Sequence, residues 1–115
     1  MISIQMADFN CGDEYAKLVS GDRAAGAVVT FVGRVRDLNL THEVKALHIE
    51  HYPGMTEKSL QEIVSQAQAR WKILRWRIIH RVGDLHLGDN IVFVGVSCAH
   101  RDEAFQATQF YAPGS

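Results

Sequence analysis

The amino-acid sequence predicts an α+β domain, in which helices cover a mixed or antiparallel sheet. One observation is the nearly unbroken apolar run at residues 91–96, whose β-branched side chains are typical of a strand buried on both faces. A second is the helical spacing of apolar residues at 55–72, and a third is that strands occur both in adjacent pairs and on either side of helices. A chain of 115 residues can build one hydrophobic core but not two, so we expect a single domain over residues 1–115.

The first third of the chain predicts two strands separated by a short helix. Residues 2–6 alternate apolar and polar side chains, as a half-buried strand does. Residues 9–20 predict a loop and a short helix. The segment AAGAVVTFVGRVR, residues 24–36, predicts a strong strand, and Gly33 within it indicates a bulge or a close backbone approach. A polar loop, residues 37–42, is expected to follow.

The middle of the chain predicts a strand and the clearest helix. The strand is predicted at residues 44–51, and the predicted helix at 55–72 places its apolar side chains at i, i+3, i+4, i+7 and i+11. We expect Thr56 to be the N-cap of this helix. Met55 and Leu60 are expected to pack together as a hydrophobic staple.

Residues 74–82 alternate apolar side chains with arginines and therefore predict another strand. We interpret Arg75, Arg77 and Arg81 as the solvated outer face of a sheet, because no aromatic residues interleave them as a nucleic-acid site would require. The segment that follows, residues 85–87, lies between two Gly-Asp pairs and predicts a short edge strand or loop.

The apolar strand at 91–96 leads into a predicted helix, which places the first N–H groups of that helix at the edge of the sheet. The spacing of Ala104, Phe105, Ala107 and Thr108 indicates one buried helical face. A helix of about ten residues is marginal on its own, so we expect Phe105 and Phe110 to anchor it in the core.

Composition and charge exclude several classes of protein. The net charge of −1 provides no basic field that would attract nucleic acid or an acidic membrane. Cys11 and Cys98 lie far apart and show no Cys-x-x-Cys spacing, which argues against a disulfide framework or a zinc knuckle. No signal-peptide pattern and no apolar run of about 18 residues occurs. We therefore expect a cytoplasmic protein without a nucleic-acid or membrane partner and without a cofactor.

The sequence favours neither a metal site nor a nucleophilic cysteine. The six histidines suggest a metal site, but they show no ligand spacing within one element, and His48 and His51 lie on opposite faces of their predicted strand. Cys98 as a nucleophile activated by His100 is the second alternative, since alternation puts both on one side of the strand. No residue that would orient such a pair is evident.

The best candidate site in the sequence is cationic. Arg36 follows the end of one predicted strand, and His100 and Arg101 follow the end of another, at the start of a helix. Guanidinium and imidazolium groups at a helix N-terminus are able to hold a phosphate or carboxylate through charge-assisted hydrogen bonds. The structural alternative is that Arg36 and Arg101 merely pair with the acidic residues next to them in the sequence.

Four segments together resemble the large, catalytic subunit of molybdopterin synthase. They are AVVTFVGRVRDLN, LHIEHYPGMTEKSL, IIHRVGDLHLGDNIVFVGVSCAHRDEAF and the region of Trp71 that joins the last two. No single motif is diagnostic, but HYPGM, HR-x-G and AHR occur in the family's order and with matching spacing. The resemblance covers residues 26–110.

The resemblance implies an α/β-hammerhead-like fold and a cytoplasmic step of molybdenum cofactor biosynthesis. The family enzyme is a sulfurtransferase that places two sulfurs on cyclic pyranopterin monophosphate and so forms the dithiolene of molybdopterin. The sulfur arrives as a thiocarboxylate on the C-terminal glycine of a ubiquitin-like small subunit. Family members form a homodimer of large subunits with a small subunit at each end, which makes a heterotetramer.

On this resemblance, Arg36, His100 and Arg101 match the family's substrate-binding pocket, with His100 and Arg101 as catalytic residues. Histidine readily changes charge near neutral pH, so His100 is also a candidate proton carrier. The family takes two further active-site lysines from a segment beyond position 110, where this sequence ends FYAPGS. None of the lysines in this sequence aligns with them; they are Lys17, Lys45, Lys58 and Lys72. We expect a C-terminally truncated homologue without that lysine segment; the rival interpretation is a catalytically impaired homologue that serves only as a dimerisation and small-subunit-binding module.

Overall fold

The structure, a computed structural model, describes residues 1–37 and 46–112. Most of the predicted polar loop at 37–42 and the start of the predicted strand at 44–51 lie outside the described residues. Within them, the chain forms three helices, a four-stranded sheet and a two-stranded sheet. In chain order the elements are β1 (Ile2–Gln5), α1 (Cys11–Val19), β2 (Ala27–Arg34), β3 (Ala46–Ile49), α2 (Met55–Arg70), β4 (Ile73–Arg81), β5 (Gly83–His86), β6 (Asn90–Cys98) and α3 (Arg101–Tyr111).

The larger sheet has the strand order β1-β4-β6-β2. β6 is antiparallel to both of its neighbours, and β1 runs parallel to β4. Residues 92–98 of β6 are all buried, because helices lie on both faces of this strand. The predictions of an α+β fold, of a mixed sheet and of a strand buried on both faces are confirmed.

One face of the large sheet packs against α2 and α3. The fully buried centre of this layer consists of small and β-branched side chains, namely Val64, Ala67, Val94, Val96, Ala104 and Ala107. Small residues on the two helices let their backbones approach the sheet closely, and the valines fill the space between. The helix predicted at 55–72 is confirmed as α2.

The start of α2 differs from the prediction. The N-cap is Gly54, with φ 84°, and the carboxylate of Glu57 accepts a hydrogen bond of 2.8 Å from the Gly54 N–H. A positive φ favours glycine, so Thr56 lies within the helix and the expected Thr56 N-cap is wrong. Met55 is 68% exposed, so it is not buried against Leu60 as the expected hydrophobic staple requires.

The other face of the sheet carries the β4 arginines and is covered by α1. The Arg75 guanidinium donates to the carbonyl oxygens of Leu18 and Ser20, at 3.1 and 2.7 Å. The Arg77 guanidinium contacts the carboxylate of Glu14 at 3.3 Å, and the side chains of this pair are only 17% and 7% exposed. These arginines hold α1 against the sheet.

Arg81 fastens the end of β4 in the same way. Its guanidinium donates to the Met6 carbonyl at 3.0 Å and to the Asn90 carbonyl at 3.0 Å, and the residue is buried. The predicted solvated arginine face is therefore wrong. Alternation along a strand shows which residues share a face, but it does not show whether another element covers that face.

The buried stripe of α3 also differs from the prediction. Phe105 is 60% exposed, so the expected anchor at this position is wrong. Phe110 packs edge-on against Trp71, with ring centroids 5.5 Å apart. The side chains that face the core recur at i, i+3, i+4 and i+7, and they are Ala104, Ala107, Thr108 and Tyr111.

β3 and β5 form a separate two-stranded antiparallel sheet. The segment predicted as a short edge strand or loop at 85–87 forms a strand as far as His86, and Leu85 within it is fully buried. No helix among the described residues is both long enough and apolar enough to span a bilayer.

Candidate active site

The corner between β6 and α3 carries two of the predicted site residues, His100 and Arg101. Cys98 ends β6, and His100 is the N-cap of α3 in an extended conformation, with φ −130° and ψ 151°. The Gly26 N–H donates to the Cys98 carbonyl at 3.0 Å, and a Cβ on Gly26 would lie 2.2 Å from the Ala99 carbonyl oxygen. The chain entering β2 is thus packed directly on the backbone of this corner, and only glycine fits there.

The side chains of His100 and Arg101 at this corner are exposed to solvent. The Arg101 side chain is 85% exposed, and its Nε lies 3.9 Å from a carboxylate oxygen of the equally exposed Asp102. A contact of that length between exposed groups contributes little to stability. The Glu103 carboxylate instead accepts a hydrogen bond of 3.1 Å from the Lys72 N–H, and the His100 side chain does not cap the helix. His100 and Arg101 therefore remain accessible at a helix N-terminus, as an anion site requires.

Arg36 lies beyond the opposite end of β2. The strand becomes irregular just before Arg34, whose guanidinium donates to the Gly88 carbonyl at 3.0 Å. Val35 is buried, and its N–H donates to the Asp89 carbonyl at 2.9 Å. These contacts fix the path of the chain, and Arg36 is exposed at its surface.

The strand register keeps Arg36 away from the corner of the same chain. Ala27 pairs with Cys98, and Arg34 pairs with Asn90, so the two strands run in opposite directions. Eight residues of β2 at about 3.3 Å each span about 25 Å. Within one chain, Arg36 and the corner with His100 and Arg101 therefore lie at opposite ends of this strand pair, because the C-terminal ends of neighbouring strands meet only when the strands are parallel.

An apolar cavity lies at the Arg34 end of the sheet. Its volume is about 350 Å³, and it is lined by Phe31, Gly33, Arg34, Ile49, His80, Ile91 and Val92. A Cβ on Gly33 would lie 2.7 Å from the Val92 side chain, so the close approach predicted at Gly33 is confirmed, together with the irregularity that follows it. His80 also lines this cavity and was not among the predicted site residues, although it is a polar residue among the apolar positions of β4.

The two alternative chemistries find no support in the geometry. Among residues 1–37 and 46–112, no group of three or more His, Cys, Asp or Glu side chains is arranged to hold a metal ion. His48 and His51 instead contact Asp84 and Glu57, at 2.7 and 3.3 Å. Cys98 is fully buried, and burial raises the pKa of its thiol, so a thiolate is disfavoured.

Comparison with known proteins identifies the family. Residues 4–112 match the family described as MoaE protein. The molybdopterin synthase catalytic subunit of Vibrio cholerae is 59% identical over 109 residues, which cover 95% of this chain and 72% of the relative. The corresponding subunit of Escherichia coli is 57% identical over 102 residues, which cover 89% of this chain and 67% of the relative.

The chain belongs to the MoaE family.

Solved structures agree with this assignment. The MoaE protein of Burkholderia ambifaria superposes with a TM-score of 0.87 at 43% identity, over 96% of this chain and 72% of that protein. Molybdopterin synthase from Staphylococcus aureus gives a TM-score of 0.85 at 28% identity, over 95% of this chain and 78% of that protein. The resemblance to the catalytic subunit of molybdopterin synthase is confirmed, and the rival interpretation as a mere binding module is not favoured.

Proposed function

We propose that this MoaE chain is the catalytic subunit of a molybdopterin synthase, acting as one domain over residues 1–115 in the cytoplasm. It transfers sulfur from the C-terminal thiocarboxylate of a ubiquitin-like small subunit to cyclic pyranopterin monophosphate, and the product is the dithiolene of molybdopterin. The observation that carries the proposal is the 59% identity to a molybdopterin synthase catalytic subunit across 95% of the chain.

The cationic residues suit this chemistry because both reactants are anions. The substrate carries a phosphate, and the sulfur donor ends in a thiocarboxylate. An exposed guanidinium at Arg101, next to the first N–H groups of α3, provides directed donors for such groups. Arg36 adds a second fixed cation, and His100 is placed to bind the substrate and carry a proton.

The active pocket, in this proposal, is shared between two copies of the chain. β2 is an edge strand of the described sheet. A two-fold axis beside it would run β2 antiparallel to the same strand of a second copy. Arg36 of one copy then faces His100 and Arg101 of the other, whereas within one copy the length of β2, about 25 Å, lies between them. The exposed aromatic rings of Phe31 and Phe105 would lie near this axis.

Mixing two defective variants tests both the activity and the shared pocket. We expect Arg36→Ala and Arg101→Ala each to lower molybdopterin formation by about 100-fold or more, since each removes a charge from the reacting anions. When the two are unfolded together and refolded as a mixture, half of the dimers are mixed and each has one intact pocket. About one quarter of the wild-type activity should therefore return.

The controls separate the two parts of the proposal. Both variants should still bind the thiocarboxylated small subunit in gel filtration. Absence of any recovery on mixing would contradict the shared pocket. A wild-type chain that binds the small subunit and the pterin but forms no molybdopterin would contradict the enzymatic activity itself.

A further inference from the structure

Two helices of this molecule have a glutamate at their third position and use it differently. In α2 the N-cap is Gly54, and the Glu57 carboxylate accepts the Gly54 N–H at 2.8 Å. This bond satisfies a backbone donor at the start of the helix, as in a capping box. In α3 the N-cap is His100, but the Glu103 carboxylate accepts from the Lys72 N–H, at 3.1 Å. Glu103 therefore connects the first turn of α3 to another part of the chain.

Lys72 belongs to the connector between α2 and β4, residues 71–72, which is itself held on both sides. The Trp71 N–H donates to the Ala67 carbonyl at 2.9 Å, and the Ile73 N–H donates to the Trp71 carbonyl at 3.0 Å. The connector thus continues the hydrogen bonding of α2 and leads directly into the sheet. A side chain that binds its backbone is held in place relative to both.

Further contacts with the connector come from the same face of α3. Gln106 and Phe110 follow Glu103 at i+3 and i+7, so the three side chains share one face of the helix. The Trp71 Nε1–H donates to the side-chain oxygen of Gln106 at 2.9 Å, and Phe110 packs edge-on against the Trp71 ring. Of these contacts, the one made by Glu103 lies nearest to the start of the helix. It is therefore the contact that determines where the first turn lies.

The core-facing side of α3 provides little directional restraint at the same end. The buried residues in its first two turns are Ala104 and Ala107, whose methyl groups can only pack. Apolar packing is non-directional, whereas a hydrogen bond restrains both a distance and an angle. His100 adds no side-chain cap. The orientation of the first turn, and with it that of Arg101, depends on Glu103.

We propose that Glu103 is a positioning residue for sulfur transfer: through the Lys72 N–H it holds the first turn of α3. The inference rests on the proposed function. His100 and Arg101 precede Glu103 by three and two residues, about 4.5 and 3 Å along the helix axis, so a displacement of Glu103 moves both. The same bond keeps the carboxylate from turning back onto the His100 N–H, where it would compete with a bound anion.

Three substitutions separate the hydrogen bond of Glu103 from its charge. Glu103→Ala removes both the acceptor and the charge. Glu103→Gln removes the charge, but its amide oxygen is still able to accept from the Lys72 N–H. Asp102→Ala is the matched control, because it removes a carboxylate from the same turn, and the Asp102 side chain is 85% exposed.

We measure kcat and KM with the thiocarboxylated small subunit, per folded molecule, and the exchange of the Lys72 amide hydrogen by NMR. We expect Glu103→Ala to lower kcat by roughly tenfold or more, with KM changed by less than about threefold, because displaced groups act poorly on the transition state. Glu103→Gln and Asp102→Ala should keep kcat within about twofold of the wild type. The Lys72 amide should exchange about fivefold faster or more in Glu103→Ala alone.

Two results would overturn the inference. Wild-type kcat in Glu103→Ala would show that the hydrogen bond has no part in the reaction, and an equal loss of kcat in Glu103→Gln would assign the effect to charge. Failure of the proposed function looks different. A wild-type chain that forms no product would contradict the activity, and with it any role of Glu103 in that activity, even where the Lys72 amide is protected as expected.

Discussion

Two groups of cations in this molecule have similar side chains and opposite environments. Arg75, Arg77 and Arg81 in β4 donate to carbonyl groups and to a carboxylate, and they hold α1 and the chain after β1 in place. Arg36 and Arg101 lie beyond the ends of strands and are exposed. The first group stabilises the fold, and the second is available to a ligand.

The difference follows from position along the strand. A side chain within a strand points at whatever element crosses that face of the sheet, so its charge is desolvated and must find a partner. A residue just beyond a strand end lies outside the covered area and keeps its donors for solvent or ligand. Stability and activity should therefore respond separately to changes in the two groups.

The largest effect is expected at the functional group. Arg101→Ala should lower kcat/KM for molybdopterin formation by about 10²–10³-fold, which is the cost of removing one donor from a developing charge. The free energy of unfolding should change by less than about 0.5 kcal/mol, because the side chain is exposed. Arg101→Lys is the matched control and should recover part of the activity. A large loss of stability in urea would place Arg101 with the structural group.

A smaller effect of the opposite kind is expected at the structural group. Glu14→Gln leaves the Arg77 guanidinium, which is only 17% exposed, without its carboxylate. We expect a loss of about 2 kcal/mol in the free energy of unfolding, below the value for a fully buried pair because water still reaches Arg77. Activity per folded molecule should not change.

Asp102→Asn is the control for Glu14→Gln, since it removes a carboxylate from an exposed contact of 3.9 Å. Its effect on urea denaturation should be below about 0.5 kcal/mol. If Glu14→Gln were equally harmless, Arg77 would not need its partner, and the distinction between the two groups would fail.

How much the sequence predicts depends on how local the signal is. β6 and α2 have complete patterns within their own residues, so both are found without the structure. The sequence does not show that the arginine face of β4 is covered, because the partner of Arg77 is Glu14, which lies 63 positions away. Nothing in the alternation of β4 indicates which helix returns to that face.

The candidate site shows the same limit. The residue types at Arg36, His100 and Arg101 are readable as an anion site, but their relative placement depends on strand direction, which is a property of the topology. His80 carried a local signal, since it is a polar residue among the apolar positions of β4.

The smallest effect is expected at Phe105, where the comparison extends to an apolar side chain. Phe105 is 60% exposed on α3, whereas Tyr111 on the same helix is 1% exposed. Phe105→Ala should lower the free energy of unfolding by less than about 1 kcal/mol, and Tyr111→Ala by about 3–5 kcal/mol. Urea denaturation at low protein concentration measures both. Because Phe105 lies beside the proposed two-fold axis, the same substitution should weaken self-association in sedimentation equilibrium. A loss above about 2 kcal/mol at low concentration would show that Phe105 supports the fold of the single chain.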